Sequence, residues 1–209
     1  MASTALEQRR SEQRAQVRRS ILDATEALLL ENGEERFSIR RLVERCGYTA
    51  PTIYHHFGDK KGLIHTLLDE RFEGLARQLK RVPAGSDPVA YLRSMGLAFV
   101  RFGLKNPTHH QLLFAPRAQQ HAPPRSALEV QEMLEQAWTE LWEDGRLECG
   151  DAGAAGQALF CLLYGLTSRR IERPEHDWSK SGIEDAIDAL LRGLIAPEPG
   201  KNGRRRKER

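Results

Sequence analysis

Cysteine is scarce in this chain. There are three in 209 residues, Cys46, Cys149 and Cys161, an odd number without metal-like spacing, which points to reduced, packed thiols and away from a disulfide framework or a zinc ribbon. Long apolar runs are missing too. No stretch approaches the roughly 18 uninterrupted apolar residues of a membrane span. The N-terminus lacks the apolar core of a secretory signal, so the expected location is cytoplasmic, without membrane association. Strand-like alternation, internal repeats and long low-complexity segments are also lacking, which leaves an all-helical reading. Catalytic signatures do not occur: there is no Gly-rich phosphate loop, no G-x-S-x-G elbow and no His-Glu zinc motif. Neither a cofactor nor a metal is implied. His109 and His110 are adjacent, and on a helix neighbours point about 100° apart, which is poor geometry for two ligands of one ion.

Net charge is only +3, but it is unevenly distributed. Residues 1–66 carry 11 Lys+Arg against 9 Asp+Glu, a net of +2, whereas residues 67–200 carry 15 against 19, a net of −4. Residues 201–209 carry 6 against 1, a net of +5. An acidic body with basic ends adds salt-sensitive attraction for phosphate at the ends without marking the whole chain as a nucleic-acid binder.

The informative stretch runs from Phe37 to Leu68. Ser38 has the chemistry of an N-cap, and Ile39, Leu42, Val43 and Cys46 follow at i, i+3, i+4 and i+7, one buried stripe. Arg40, Arg41, Glu44 and Arg45 take the wet side, and Gly47 supplies the left-handed stop. Thr49 caps a second helix, with Pro51 in its first turn where no intrahelical bond is lost. That helix is short and polar, anchored inward only by Ile53 and Phe57, and Gly58-Asp59 ends it. Asp59 caps a third, longer helix with the stripe Leu63, Ile64, Leu67, Leu68, Phe72 and Leu75. A short polar helix held out on a small scaffold fits a helix-turn-helix, whose second helix enters the DNA major groove.

These residues resemble the DNA-binding domain of the TetR family of bacterial transcriptional regulators. The family pattern is a Gly-ended helix, then a G-[VI]-[ST]-x-x-[ST]-[LIV]-Y-x-H-F turn and recognition helix, then x-x-K-x-x-L. Here it is carried by Gly47 to Leu63, with Tyr48 in place of a β-branched residue and Pro51 where glycine or a polar residue is common. Pro51 removes one backbone donor to phosphate. The close match spans about Gln16 to Leu68.

The rest of the chain reads as helices: Arg14 to Asn32, Lys60 to about Lys80, Val89 to Asn106, Thr108 to Phe114, Ser126 to Gly145, Ala152 to Glu172 and Ser181 to Ile195. Ala115-Pro116 and Ala122-Pro123-Pro124 frame a loop. The expected organisation is a flexible N-terminus (1–13), a three-helix helix-turn-helix head (14–66), a larger helical effector-binding and dimerisation domain (67–197) and a basic disordered tail (198–209).

The expected DNA contacts are Thr49, Ala50, Thr52, Tyr54 and His55 on the second helix, with Arg40 and Lys60 beside it. Lys60, at a helix start, would offer a phosphate both its ammonium and the helix dipole. Resemblance makes Tyr54 a backbone contact and His56 more structural, and puts Arg14, Arg18 and Arg19 near the DNA backbone. The helix 152–172 is apolar nearly all round and needs burial on most faces. Ala155, Leu159, Leu162 and Leu166, with Ile183, Ile187, Leu190 and Leu194 of the last helix, form the expected four-helix homodimer interface, as the family dimerises through its last two long helices. Dimer symmetry implies a pseudo-palindromic operator.

Phe72, Met95, Phe99, Phe102, Phe114, Trp138, Trp142 and Tyr164 are the candidate wall of a pocket for an apolar or amphipathic effector. Resemblance implies a repressor released from DNA by that effector. A regulator without a small-molecule effector would instead fill this space with core, and a helical enzyme would need a cluster of titratable groups in the second domain.

Overall fold

The computed structural model describes residues 2–114, 122–148 and 150–197. The 198–209 tail, Cys149 and the Ala115-Pro116 side of the loop lie outside the described residues. Those described form an all-α chain: α1 (Ala2–Arg36), α2 (Ile39–Cys46), α3 (Ala50–Phe57), α4 (Lys60–Leu79), α5 (Pro88–Lys105), α6 (Pro107–Leu113), α7 (Arg125–Glu143), α8 (Ala152–Glu172) and α9 (Gly182–Leu194). Among the described residues, extended backbone pairs only at an isolated bridge, Leu147 with Ile195. No helix among the described residues is long and apolar enough to cross a membrane.

The chain forms two compact units. The first comprises Met1–Gly74 and Thr108–Arg125, the second Leu75–Pro107 and Ser126–Arg209. The first therefore ends within α4 at Gly74, beyond the boundary expected near Leu67, and takes in α6. The reason is apolar. Leu112 and Leu113 of α6 join Ile21, Leu22, Leu42, Ile53, Phe57, Leu63, Ile64, Leu67 and Leu68 in one buried cluster, with Phe72 and Phe114 packed against it.

Residues 1–13, expected to be flexible, differ as well: the helix extends back to Ala2. The sequence there is rich in Ala, Glu, Gln and Arg, strong helix formers, although every side chain from Leu6 to Gln16 is exposed. The expected stop at Asn32-Gly33 is present as a break inside α1, where Gly33 takes φ 71°.

In the second unit α5, α8 and α9 pack on one another. A Cβ at Gly96 of α5 would lie 3.1 Å from Leu163 and 3.5 Å from Ile187, so this glycine sets how closely the three helices approach. Arg93 fixes α5 to α9, its Nε and Nη2 donating to the two carboxylate oxygens of Asp188 at 2.6 and 3.1 Å. The pair holds the Asp188 carboxyl below the usual carboxylate range. Gly156 of α8 packs on the Trp138 indole of α7.

Candidate nucleic-acid interface

The turn between α2 and α3 is built by its caps. Ser38 Oγ accepts from Arg41 N at 3.3 Å, and Gly47 ends α2 in the left-handed region at φ 74°, donating to Val43 O. Thr49 Oγ1 accepts from Thr52 N at 3.4 Å and shares a 3.0 Å hydrogen bond with Thr52 Oγ1, so the cap also orients the hydroxyl of Thr52. Ile53 and Phe57 are buried as anchors, and Tyr48 packs against the same core.

This leaves one side of α3 outward. Thr49, Pro51, Tyr54 and His55 are exposed, Ala50 and Thr52 are half-buried, and Tyr54 retains 46% of its surface. An exposed tyrosine and a capped, oriented threonine on an eight-residue helix form a surface with donors, acceptors and a methyl group, the inventory needed to read a groove. His56 is partly buried, 5.7 Å from His55 between ring centres. Burial first, then the charges of His55, Arg14 and Arg18, push its imidazole below the ordinary range, so the neutral form is favoured. Arg18 is half-exposed, over the Phe57 ring at 5.6 Å and paired with Glu70.

Arg40 is exposed and pairs along its own helix with Glu44 at 3.1 Å. Lys60 makes contacts within the head. Its ammonium donates to the carbonyls of Phe37 at 2.9 Å and Glu34 at 3.3 Å and lies 5.5 Å from the Phe37 ring centre. Arg45, expected only as wet surface, makes a bidentate pair with Glu31 at 2.6 and 3.1 Å, tying α2 to α1.

The expected effector wall is divided. Met95, Phe99, Phe102 and Trp138 are buried in the second unit, and Phe99 meets Phe160 edge to face with Tyr164 stacked beyond it. Phe72 and Phe114 instead complete the apolar cluster of the first unit. Trp142 is 50% exposed because it sits at the edge of the buried α7 stripe of Val130, Ala137, Trp138 and Leu141, in the last turn. The expected dimer set is divided in the same way. Ala155, Leu159 and Ile187 are buried in their own unit, whereas Leu162, Leu166, Ile183, Leu190 and Leu194 remain half-exposed.

One cluster had no sequence signal. Arg71 of α4 donates to Glu26 Oε2 at 2.7 Å and Asp23 Oδ1 at 2.5 Å, both on α1, and His109 of α6 lies 3.7 Å from Glu26. Burial chiefly lowers the affinity of His109 for a proton, opposed by the charge of Glu26. His110, 2% exposed, packs 5.0 Å from the Phe114 ring, and burial pushes its imidazole down to about 4. The two histidines thus have separate surroundings, and no group of three potential metal ligands occurs among the described residues.

Comparison with known proteins agrees with this geometry. Residues 21–67 match the model of the bacterial regulatory proteins of the tetR family, and residues 92–194 match that of the tetracyclin repressor-like C-terminal domain. The chain is 25% identical over 190 residues to the HTH-type transcriptional regulator BetI of Cronobacter sakazakii, covering 87% of this chain and 81% of that protein. It is 36% identical over 64 residues to the HTH-type transcriptional repressor Rv1474c of Mycobacterium tuberculosis, a match of 31% of this chain and only 34% of that protein's length. Among solved structures, NalD of Pseudomonas aeruginosa, the secondary repressor of a multidrug efflux pump, superposes with a TM-score of 0.64 at 25% identity, covering 90% of this chain and all of that one. A capped helix-turn-helix head matching the family model, followed by a helical body matching the second model, together span well over half the chain: it belongs to the TetR family of bacterial transcriptional regulators, which are DNA-binding proteins.

Proposed function

We propose that this protein is a cytoplasmic repressor that binds a pseudo-palindromic operator as a homodimer and leaves it when a small apolar or amphipathic molecule binds the helical body. The observation that carries the DNA reading is the outward side of α3, with Thr49, Ala50, Thr52, Tyr54 and His55 held by the Thr49 side-chain cap, the Gly58 backbone cap and two buried anchors. Thr52 and Ala50 address base edges, Tyr54 and His55 the phosphates, and Arg40 adds charge beside them.

Dimerisation is supported by apolar surface the single chain does not use. Leu162, Leu166, Leu190 and Leu194 are half-exposed on α8 and α9, and a Cβ at Gly165 or Gly193 would meet nothing within 4 Å. Two helices with small and branched apolar residues on one side suit packing against their own copies. The effector reading is supported by Met95, Phe99, Phe102 and Trp138, an apolar set continued outward by Phe160 and Tyr164. Repression is supported by likeness to NalD, itself a repressor. Release follows if the effector binds more tightly to a conformation whose head spacing does not match the operator.

The test is selection of bound duplexes from a random pool, with intact protein and with a Thr52→Ala/Tyr54→Ala variant. Enrichment of a pseudo-palindrome by the intact protein alone is expected. Sequence-independent binding by both would refute specific readout through α3. The selected duplex then serves as the probe in a screen of apolar and amphipathic compounds, in which failure of every compound to shift affinity would remove the effector reading.

A further inference from the structure

We propose that Lys60 is a positioning residue that aims the recognition helix, holding α3 against the corner between α1 and α2 from inside the head. The inference rests on α3 being the reading helix and adds a residue that acts without touching DNA.

The corner is a local weak point. Gly33 breaks α1 with φ 71° and ψ 167°, and residues 34–38 turn the chain into α2. Backbone carbonyls at such a break lose their helical partners and need others. Two cations supply them. Arg41 Nη1 donates to Arg36 O at 3.2 Å, and Lys60 Nζ donates to Phe37 O at 2.9 Å and Glu34 O at 3.3 Å. Glu34 O also accepts from Phe37 N at 3.2 Å. The ammonium lies 5.5 Å from the centre of the Phe37 ring, whose residue is 3% exposed, so this seat has an apolar, polarisable floor.

The other end of the lever is the junction from α3 to α4. Gly58 N donates to Tyr54 O at 2.8 Å, and Asp59 N to Phe57 O at 3.0 Å. Asp59 Oδ1 then accepts from Gly62 N at 2.7 Å. A Cβ at Gly62 would lie 2.3 Å from Phe57 O, so the last carbonyl of α3 is pressed into the first turn of α4. The end of α3 and the start of α4 therefore move as one body. Lys60 is the first residue of α4, three past the end of α3, and its side chain reaches carbonyls 23 and 26 residues back in sequence. Fixing Lys60 on Phe37 and Glu34 fixes the tilt of α3 relative to α2, the relation that decides which side chains reach the groove floor.

A positioning lysine and a phosphate-binding lysine behave differently toward salt. Loss of a phosphate contact weakens every duplex alike and reduces the slope of log affinity against log salt by about 0.9. Loss of aim removes specific contacts and leaves the slope for non-specific DNA in place. Intact protein, Lys60→Met and Lys60→Arg are compared on the duplex selected by the intact protein and on a scrambled duplex, from low to moderate salt. The expected result is that both variants lose about tenfold or more in affinity for the selected duplex, the scale of a lost charge-assisted hydrogen bond. Affinity for the scrambled duplex and its salt slope should stay at intact values. Arginine keeps the charge, but its planar fork does not fit two converging carbonyls. Rescue by Lys60→Arg, or a uniform loss with a reduced slope in Lys60→Met, would overturn the proposal.

If Lys60→Met fails to fold, the intact protein still decides the matter through the nitrogen resonance of the Lys60 ammonium. A slowly exchanging ammonium with unchanged shift on adding duplex supports the seat, while rapid exchange in the free protein, or a new coupling to phosphorus in the complex, refutes it. Selection that enriches no sequence would defeat the reading of α3, whereas the exchange rate in the free protein tests the Lys60 seat independently.

Discussion

The two imidazoles of α6 make the stability of the first unit depend on pH, and His110 allows the size of the effect to be worked out. Its side chain is 2% exposed, beside Phe114, on a helix whose Leu112 and Leu113 are in the core. Burial lowers its pKa from 6.5 to about 4. The unfolded chain therefore binds the proton more tightly than the folded one, so folded stability is full above the unfolded value and falls as pH drops through 6.5 toward 4. Each unit of pH in that window costs about 1.4 kcal/mol, so going from pH 8 to pH 5 costs about 2 kcal/mol from this residue. The perturbation is His110→Leu, which fills similar apolar space and cannot titrate. Urea unfolding of both proteins at pH 8 and pH 5, at one protein concentration, gives the assay. His109 is present in both proteins, so its contribution cancels in the comparison. The gap between variant and intact protein at pH 8 contains whatever contacts the imidazole makes. At pH 5 it should move by about 2 kcal/mol in favour of the variant. An unchanged gap would mean that His110 accepts its proton without leaving the core, and would refute the reasoning.

Two further outcomes follow from backbone and surface. Gly47→Ala places a side chain at φ 74° with nothing within 4 Å, so it should cost only the left-handed backbone penalty, about 1–2 kcal/mol in thermal or urea unfolding. Gly62→Ala drives a Cβ to 2.3 Å from Phe57 O and should cost clearly more; equal losses would mean that the α3–α4 junction yields freely. Leu190→Asp alters a half-exposed position on α9, so sedimentation at micromolar concentration should find folded monomers, while Ile187→Asp, fully buried in its own subunit, should unfold the chain. Dimers surviving Leu190→Asp would place the contact between copies elsewhere.

What was legible in the sequence was local. Ser38, Gly47, Thr49 and Asp59 are each read from neighbours no more than four residues away, and each makes the expected hydrogen bond. Helix α8 begins and ends where its pattern does, Ala152–Glu172. What stayed hidden depends on distant partners. Lys60 reads as a surface cation following a Gly-Asp stop, and nothing nearby reveals that a break at Gly33 leaves carbonyls for it to satisfy. Glu26, Asp23, Arg71 and His109 come from three helices with no common spacing, so their cluster exists only once α6 packs with α1 and α4.

The same limit explains why the aromatic wall and the dimer stripe were each only half usable. Periodicity identifies the side of a helix that must be buried but not the element that buries it. In α8 the residues Ala155, Leu159, Leu163 and Thr167 recur every fourth position and are consumed inside the subunit. The apolar residues flanking that line, Leu162 and Leu166 with Gly165 between them, stay half-exposed, and it is on this surplus that the proposed dimer rests. In α6 the surplus goes the other way. Phe114 and the pair Leu112–Leu113 are too apolar for a seven-residue surface helix, and they are satisfied by the core of the head. Because α6 is built into that core and carries His109 against Glu26, any event that shifts α6 must disturb α1 and α4 as well. The packing that made Phe114 unavailable as a simple pocket residue thus belongs to the first unit, whose apolar cluster it completes just past the end of α6.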